Sequence, residues 1–163
     1  QVSVQFDEEI NIPIGLDYEN PVALTAHDVH SNKEDYPWNQ IQIRSGNVGS
    51  GYWSIDVKKA GNYEISLRRY PVEADLLINS VVSKVTTQEL PGLEFDIPEG
   101  VNLNFKKAAI KIADIEQAKE VLATDKSVDF KINLKEGITK FKASFFNNKS
   151  EENVAYYVYV KKI

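Results

Sequence analysis

Apolar and polar residues alternate with period two through much of this chain, the spacing of strands that bury one face and wet the other. Val128, Phe130, Ile132 and Leu134 alternate with Asp129, Lys131 and Asn133; Tyr63, Ile65 and Leu67 repeat the pattern, as do Ile55 and Val57 after Trp53. Ala108, Ile110 and Ile112 interleave with lysines, and the Tyr- and Val-rich run Ala155 to Val160 reads as a closing strand. Val2 to Phe6, Ile10 to Ile14, Val22 to Ala26, Ile41 to Arg44, Asp75 to Ile78 and Phe141 to Phe146 are further strand candidates. Turn residues fall between these runs: Ala60-Gly61-Asn62, Lys135-Glu136-Gly137 and Asn147-Asn148-Lys149-Ser150. The pattern predicts an all-β fold, a β-sandwich or jelly-roll-like domain of roughly ten short antiparallel strands. One segment resists. Ile112 to Ala123 holds helix formers, Asp114 as an N-cap and apolar residues at Ile115, Ala118 and Leu122. It reads either as a short helix over residues 114–123 or as an irregular crossing between strands.

The chain has 163 residues, 42% hydrophobic and 26% charged, a balance that excludes wholesale disorder. No repeat or linker interrupts it, so residues 1–163 are expected to form a single domain, with 1–20 an edge strand or a linker segment. It contains neither Cys nor Met. Disulfides, thiolate metal sites and a cysteine nucleophile are therefore ruled out, and Gln1 reads as a cut end rather than a translation start. Net charge is −5, with 7 basic and 16 acidic residues up to Gly100 and 12 and 8 beyond it. Such an acidic chain without a basic stripe argues against nucleic acid. No apolar run reaches the roughly 20 residues of a membrane span.

Candidate chemistry concentrates between Pro21 and Trp53. His27, Asp28, His30, Tyr36 and Trp38 combine imidazole, carboxylate and aromatic groups on a loop, a set suited to glycan contact, with rings on sugar faces and polar groups on hydroxyls. The plainer alternative is that Trp38 and Trp53 fill the core or its edge; for Trp53, which opens an alternating strand, core is the expectation. His27-Asp28-Val29-His30 offers two imidazoles but no third ligand, so no metal and no cofactor is expected. Arg68 and Arg69 follow a strand and point to opposite faces. The inward one needs a partner, for which Glu73 and Asp75 are candidates, and a buried Arg–carboxylate staple is weighed against anion recognition. Asn148-Lys149-Ser150 is a glycosylation sequon that matters only in a eukaryotic secretory pathway.

The run Gly51 to Ile78 (GYWSIDVKKAGNYEISLRRYPVEADLLI) resembles the block of the accessory C-terminal domain in bacterial arylsulfatase-like enzymes. Trp53, Gly61, Tyr63, Glu64, Leu67, Arg68, Arg69, Pro71 and Glu73 match that block, while Tyr70 stands where the family usually has Trp. Leu24 to Asp28, Pro37 to Gln40 and the closing Ala155 to Lys162 are similar as well. The resemblance implies a bacterial, exported protein whose catalytic sulfatase domain acts on sulfated glycans, with this chain packing on that domain and its loop from His27 to Trp38 lining the cleft. In that setting Trp53, Arg68, Arg69 and Glu73 stabilise the fold. The sulfatase nucleophile lies in a Cys/Ser-x-Pro-x-Arg motif, and no serine here is followed two places later by Pro. The chain itself is thus expected to be non-catalytic. An autonomous carbohydrate-binding module, with Tyr36 and Trp38 stacking on sugar, is the alternative.

Overall fold

A computed structural model describes residues 9–31, 40–46 and 49–163. Ten strands form among the described residues: β1 (Ile12–Ile14), β2 (Val22–Thr25), β3 (Trp53–Val57), β4 (Gly61–Arg68), β5 (Phe105–Ile112), β6 (Ile115–Glu120), β7 (Val128–Leu134), β8 (Gly137–Asn147), β9 (Glu152–Val154) and β10 (Tyr157–Lys162). They make a six-stranded sheet in the order β1-β3-β8-β5-β6, with β9 on β8, and a four-stranded sheet in the order β2-β10-β4-β7. Every pairing is antiparallel except β1 with β3, which is parallel.

The core lies between the sheets and is built by the alternating residues. Tyr63, Ile65, Leu67, Phe130, Val158 and Val160 come from one sheet and meet Trp53, Ile55, Ala108, Ile110, Phe141 and Phe145 from the other. Trp53 is fully buried, and its Nε1–H donates to the carbonyl of Thr25 at 2.8 Å, pinning β3 to the end of β2 across the core. The strongest period-two signal, in β7, gives strict in–out alternation.

Three local expectations give way. Residues 112–123 hold no helix: β5 turns through Ala113, at φ 52°, into β6, which pairs with β5 from Ile115 to Glu120. All of β6 beyond Ile115 is exposed, so its helix-forming residues have no core to alternate against, and pairing with β5 overrides their propensity. Ile41 to Arg44 lies in a helix, α1 (Gln40–Ser45), rather than a strand. Asp75 to Ile78 follows a 3-10 turn at Val72–Ala74 and is not a strand either. The expected strand Val2 to Phe6 falls outside the described residues.

Between β4 and β5 the chain makes a long excursion, held together by a Val85–Ile97 bridge and a Lys84–Asp96 ion pair at 3.0 Å. Arg69 anchors it. The side chain is fully buried, and its Nη2 donates to the carbonyls of Val101 (2.8 Å), Arg44 (2.9 Å) and Ile43 (3.3 Å) while Nη1 reaches Ile78 (3.4 Å). One guanidinium thus ties the end of α1 to two points of the excursion. Ile43, Tyr70 and Tyr156 close over it as a small second core. Arg69 is the inward arginine, but its partners are backbone carbonyls, and Glu73 is exposed and remote from this role. Burial holds the Arg69 guanidinium below its usual pKa and pushes the Tyr70 and Tyr156 phenols up.

Candidate functional site

The loop predicted to carry chemistry is only partly described, since Tyr36 and Trp38 lie outside the described residues. Ala26–Asp28 forms a 3-10 turn directly after β2, and its geometry accounts for Asp28. The Asp28 carboxylate accepts from the Thr25 hydroxyl (3.0 Å) and the Thr25 N–H (3.4 Å), so it caps the turn rather than reaching outward. His30 exchanges backbone hydrogen bonds with Tyr52, and its ring stacks on Tyr52 with centroids 5.4 Å apart. Lys140 sits over the Tyr52 ring, 4.6 Å from its centroid. His27 is exposed at the turn. The two imidazoles therefore have separate surroundings. Among the described residues no group of three His, Asp or Glu side chains gathers as a metal site.

A different surface offers a cavity. On the outer face of the four-stranded sheet, strand register lines up side chains in rungs. Ala23, Tyr159 and Ser66 form one rung across β2, β10 and β4. Lys161 faces Glu64 on one side of it, and Tyr157 faces Thr25 and Arg68 on the other. Because Ala23 and Ser66 are short, they leave a depression on both sides of the Tyr159 ring. A groove of about 390 Å³ results, lined by Pro21, Ala23, Glu64, Ser66, Arg68, Val72, Glu73, Tyr159 and Lys161. That volume falls within the roughly 300–1,000 Å³ of small-ligand sites. The Tyr159 hydroxyl accepts the Val72 N–H at 3.0 Å, which fixes the ring against the 3-10 turn after β4. Glu64 lies 4.0 Å from Lys131 on β7, an exposed pair too weakly coupled to withdraw its carboxylate from the groove.

The groove combines an aromatic ring held in place, two carboxylates, a guanidinium and an ammonium. Such a set can stack on an apolar sugar face and exchange hydrogen bonds with ring hydroxyls from both sides. A smaller depression of about 260 Å³ on the six-stranded sheet is lined by Lys111, Glu116, Lys142, Ser144 and Glu152, among others. There the polar groups serve one another: Ser144 donates to Glu152 at 2.7 Å and Lys142 lies 3.6 Å from the same carboxylate.

Of the residues singled out from sequence, Arg68 and Glu73 line the groove, Trp53 and Arg69 are core, and the His27–His30 turn begins next to the Arg68 rung, since Thr25, Tyr157 and Arg68 share it. Tyr159, Glu64, Ser66 and Lys161 were not identifiable as a site from sequence. Their alternation places them on one face, but only the strand register brings them together.

No protein-family model matches the chain, and no curated protein matches it. Among solved structures, a ruminal GH26 endo-beta-1,4-mannanase aligns with a TM-score of 0.45 at 14% identity over 88% of this chain and 26% of its own. The Podospora anserina GH26-CBM35 beta-(1,4)-mannanase aligns with a TM-score of 0.42 at 11% identity over 89% of this chain and 28% of its own. This chain thus spans little more than a quarter of either enzyme chain.

Proposed function

We propose that this chain is a non-catalytic, carbohydrate-binding β-sandwich domain whose sugar site is the groove on the outer face of the four-stranded sheet. The observation that carries the reading is the Tyr159 ring between two short residues, fixed by the Val72 N–H and rimmed by Glu64, Glu73, Arg68 and Lys161. The ring supplies the stacking platform and the rim supplies donors and acceptors for hydroxyls. Titration calorimetry of the purified chain against a panel of neutral and charged oligosaccharides tests it. Tyr159→Ala is expected to weaken binding roughly tenfold or more while the fold persists, since stacking is worth about 1–1.5 kcal/mol or more on a sugar face. Binding that survives Tyr159→Ala but is abolished by Trp38→Ala would move the site to the loop.

A second reading is supported by the ordered block from Gly51 to Ile78. In it the domain belongs to an exported bacterial arylsulfatase-like protein, packs on that protein's catalytic domain and lends surface to a cleft for sulfated glycans. Trp53 and Arg69, two of the block's matching residues, hold the fold together, which is the role the resemblance implies for them. The parent open reading frame decides this reading. A Cys/Ser-x-Pro-x-Arg motif upstream supports it, and a full-length frame without one refutes it.

A further inference from the structure

We propose that the sugar taken by this groove is acidic, with a carboxylate seated on the guanidinium of Arg68. The inference rests on the reading of the groove as a glycan site. Arg68 lines the groove yet is only 8% exposed. Its Nε gives one long bond, 3.4 Å, to the Tyr70 carbonyl, and its buried Nη2 has no hydrogen-bond partner among the described residues. A buried guanidinium donor left unmet carries its full desolvation penalty. The adjacent Arg69 also has one buried atom without a partner among the described residues, its Nε, but its Nη atoms are met by carbonyls from three segments, and of the two arginines only Arg68 lines the groove.

Nearby carboxylates do not fill that gap. Asp75 is held by Lys126 at 2.7 Å, and neither Glu64 nor Glu73, both on the groove lining, hydrogen-bonds the Arg68 Nη2. A ligand carboxylate suits this guanidinium, because one oxygen would meet the unpartnered Nη2 and its two oxygens match the planar N–H fork. The rest of the lining limits how much charge the ligand carries. Glu64 and Glu73 balance Arg68 and Lys161, so the groove as a whole is neutral and gives no net attraction to a densely charged polyanion. One anion per sugar, accompanied by several hydroxyls for Glu64, Glu73 and the Tyr159 ring, suits it. That description is a hexuronate.

The test compares trimers of galacturonate and of mannuronate with their methyl esters, which lack the charge and carry one added methyl group per sugar, alongside a sulfated galactan oligosaccharide, by calorimetry on the purified chain. A uronate trimer is expected to bind roughly tenfold or more tightly than its ester. Arg68→Gln is expected to remove that advantage, weakening the uronate far more than the ester, with the melting temperature checking the fold. Should Arg68→Gln fail to fold, Arg68→Lys keeps the charge without the fork and is expected to lose most of the preference. Equal affinity for acid and ester, both lost with Tyr159→Ala, overturns the acidic assignment and leaves the glycan site standing. Tighter binding of the sulfated oligosaccharide than of either uronate overturns the carboxylate assignment. Binding to no sugar in neutral or charged form overturns both readings.

Discussion

Arg69 carries the most exacting stability prediction. Its Nη2 makes two close bonds, to the carbonyls of Val101 and Arg44, and one longer bond to Ile43. A hydrogen bond to a charged group is worth about 1.5–3 kcal/mol. The Arg44 carbonyl also accepts the Val101 N–H at 2.9 Å, so it is not left bare when the guanidinium goes. Removing the guanidinium also regains part of the cost of burying a cation. These opposing contributions leave a net loss of about 3 kcal/mol for Arg69→Met, which retains most of the volume. Arg69→Ala adds a cavity and should lose about 4–5 kcal/mol. Arg69→Lys keeps the charge, but a single ammonium cannot span carbonyls on separate segments, and about 2 kcal/mol is expected to go. For a domain with roughly 5–15 kcal/mol in total, the alanine variant should melt on the order of 10 °C lower. Urea unfolding followed by far-ultraviolet circular dichroism reads all three. An Arg69→Met variant within about 0.5 kcal/mol of the parent would refute the carbonyl clasp as the anchor of the excursion.

Other outcomes follow from single sites. Ala113 sits at φ 52° in the β5–β6 turn, and Ala113→Gly should raise stability by about 0.5–1 kcal/mol in the same urea assay, with a loss counting against the turn geometry. Gly15 is at φ 82°, and a Cβ there would lie 2.1 Å from the Tyr63 hydroxyl, which donates to Lys59. Gly15→Ala should therefore cost roughly 2–4 kcal/mol, and a neutral effect would mean this contact relaxes freely. Burial raises the phenols of Tyr63, Tyr70 and Tyr156 above their unfolded value. A raised phenol contributes stability that is complete below the unfolded pKa of about 10 and is lost as pH climbs through the folded value. The share of tyrosinate absorbance that belongs to these three, above that of the exposed tyrosines, should accordingly rise only in step with loss of structure above about pH 10; full ionisation of these tyrosines in a still-folded chain would contradict their burial.

Much of the fold was readable because one-sided burial writes period two into a strand, as at Val128 to Leu134. Trp53 likewise fell where its alternation put it, in the core. β6 escaped because an edge strand with exposed side chains has no inner face to record, and its Glu, Gln, Ala and Lys then look helical. The Arg69 clasp was half legible. Adjacent arginines on a strand must point to opposite faces, but carbonyl partners have no side-chain signature, so a carboxylate was the natural expectation. The groove was least legible, since Tyr159, Ser66 and Ala23 are far apart in sequence and meet only through a register that no local pattern specifies.

The same edge strand closes the sandwich. β6 ends one sheet and β7 ends the other, and Lys119 crosses the seam between them, its stem carrying the ammonium to 5.3 Å from the Phe130 ring centroid and onto the Asp129 carbonyl. A hydrophobic seal there would have left two open backbone edges facing any passing strand. Closing the gap with a lysine, among the exposed Glu116 and Glu120, makes the seam charged, so that a second chain seeking to extend either sheet meets charge it must bury. The residues that disguised β6 as a helix are thus the ones that guard the chain against self-association along this side.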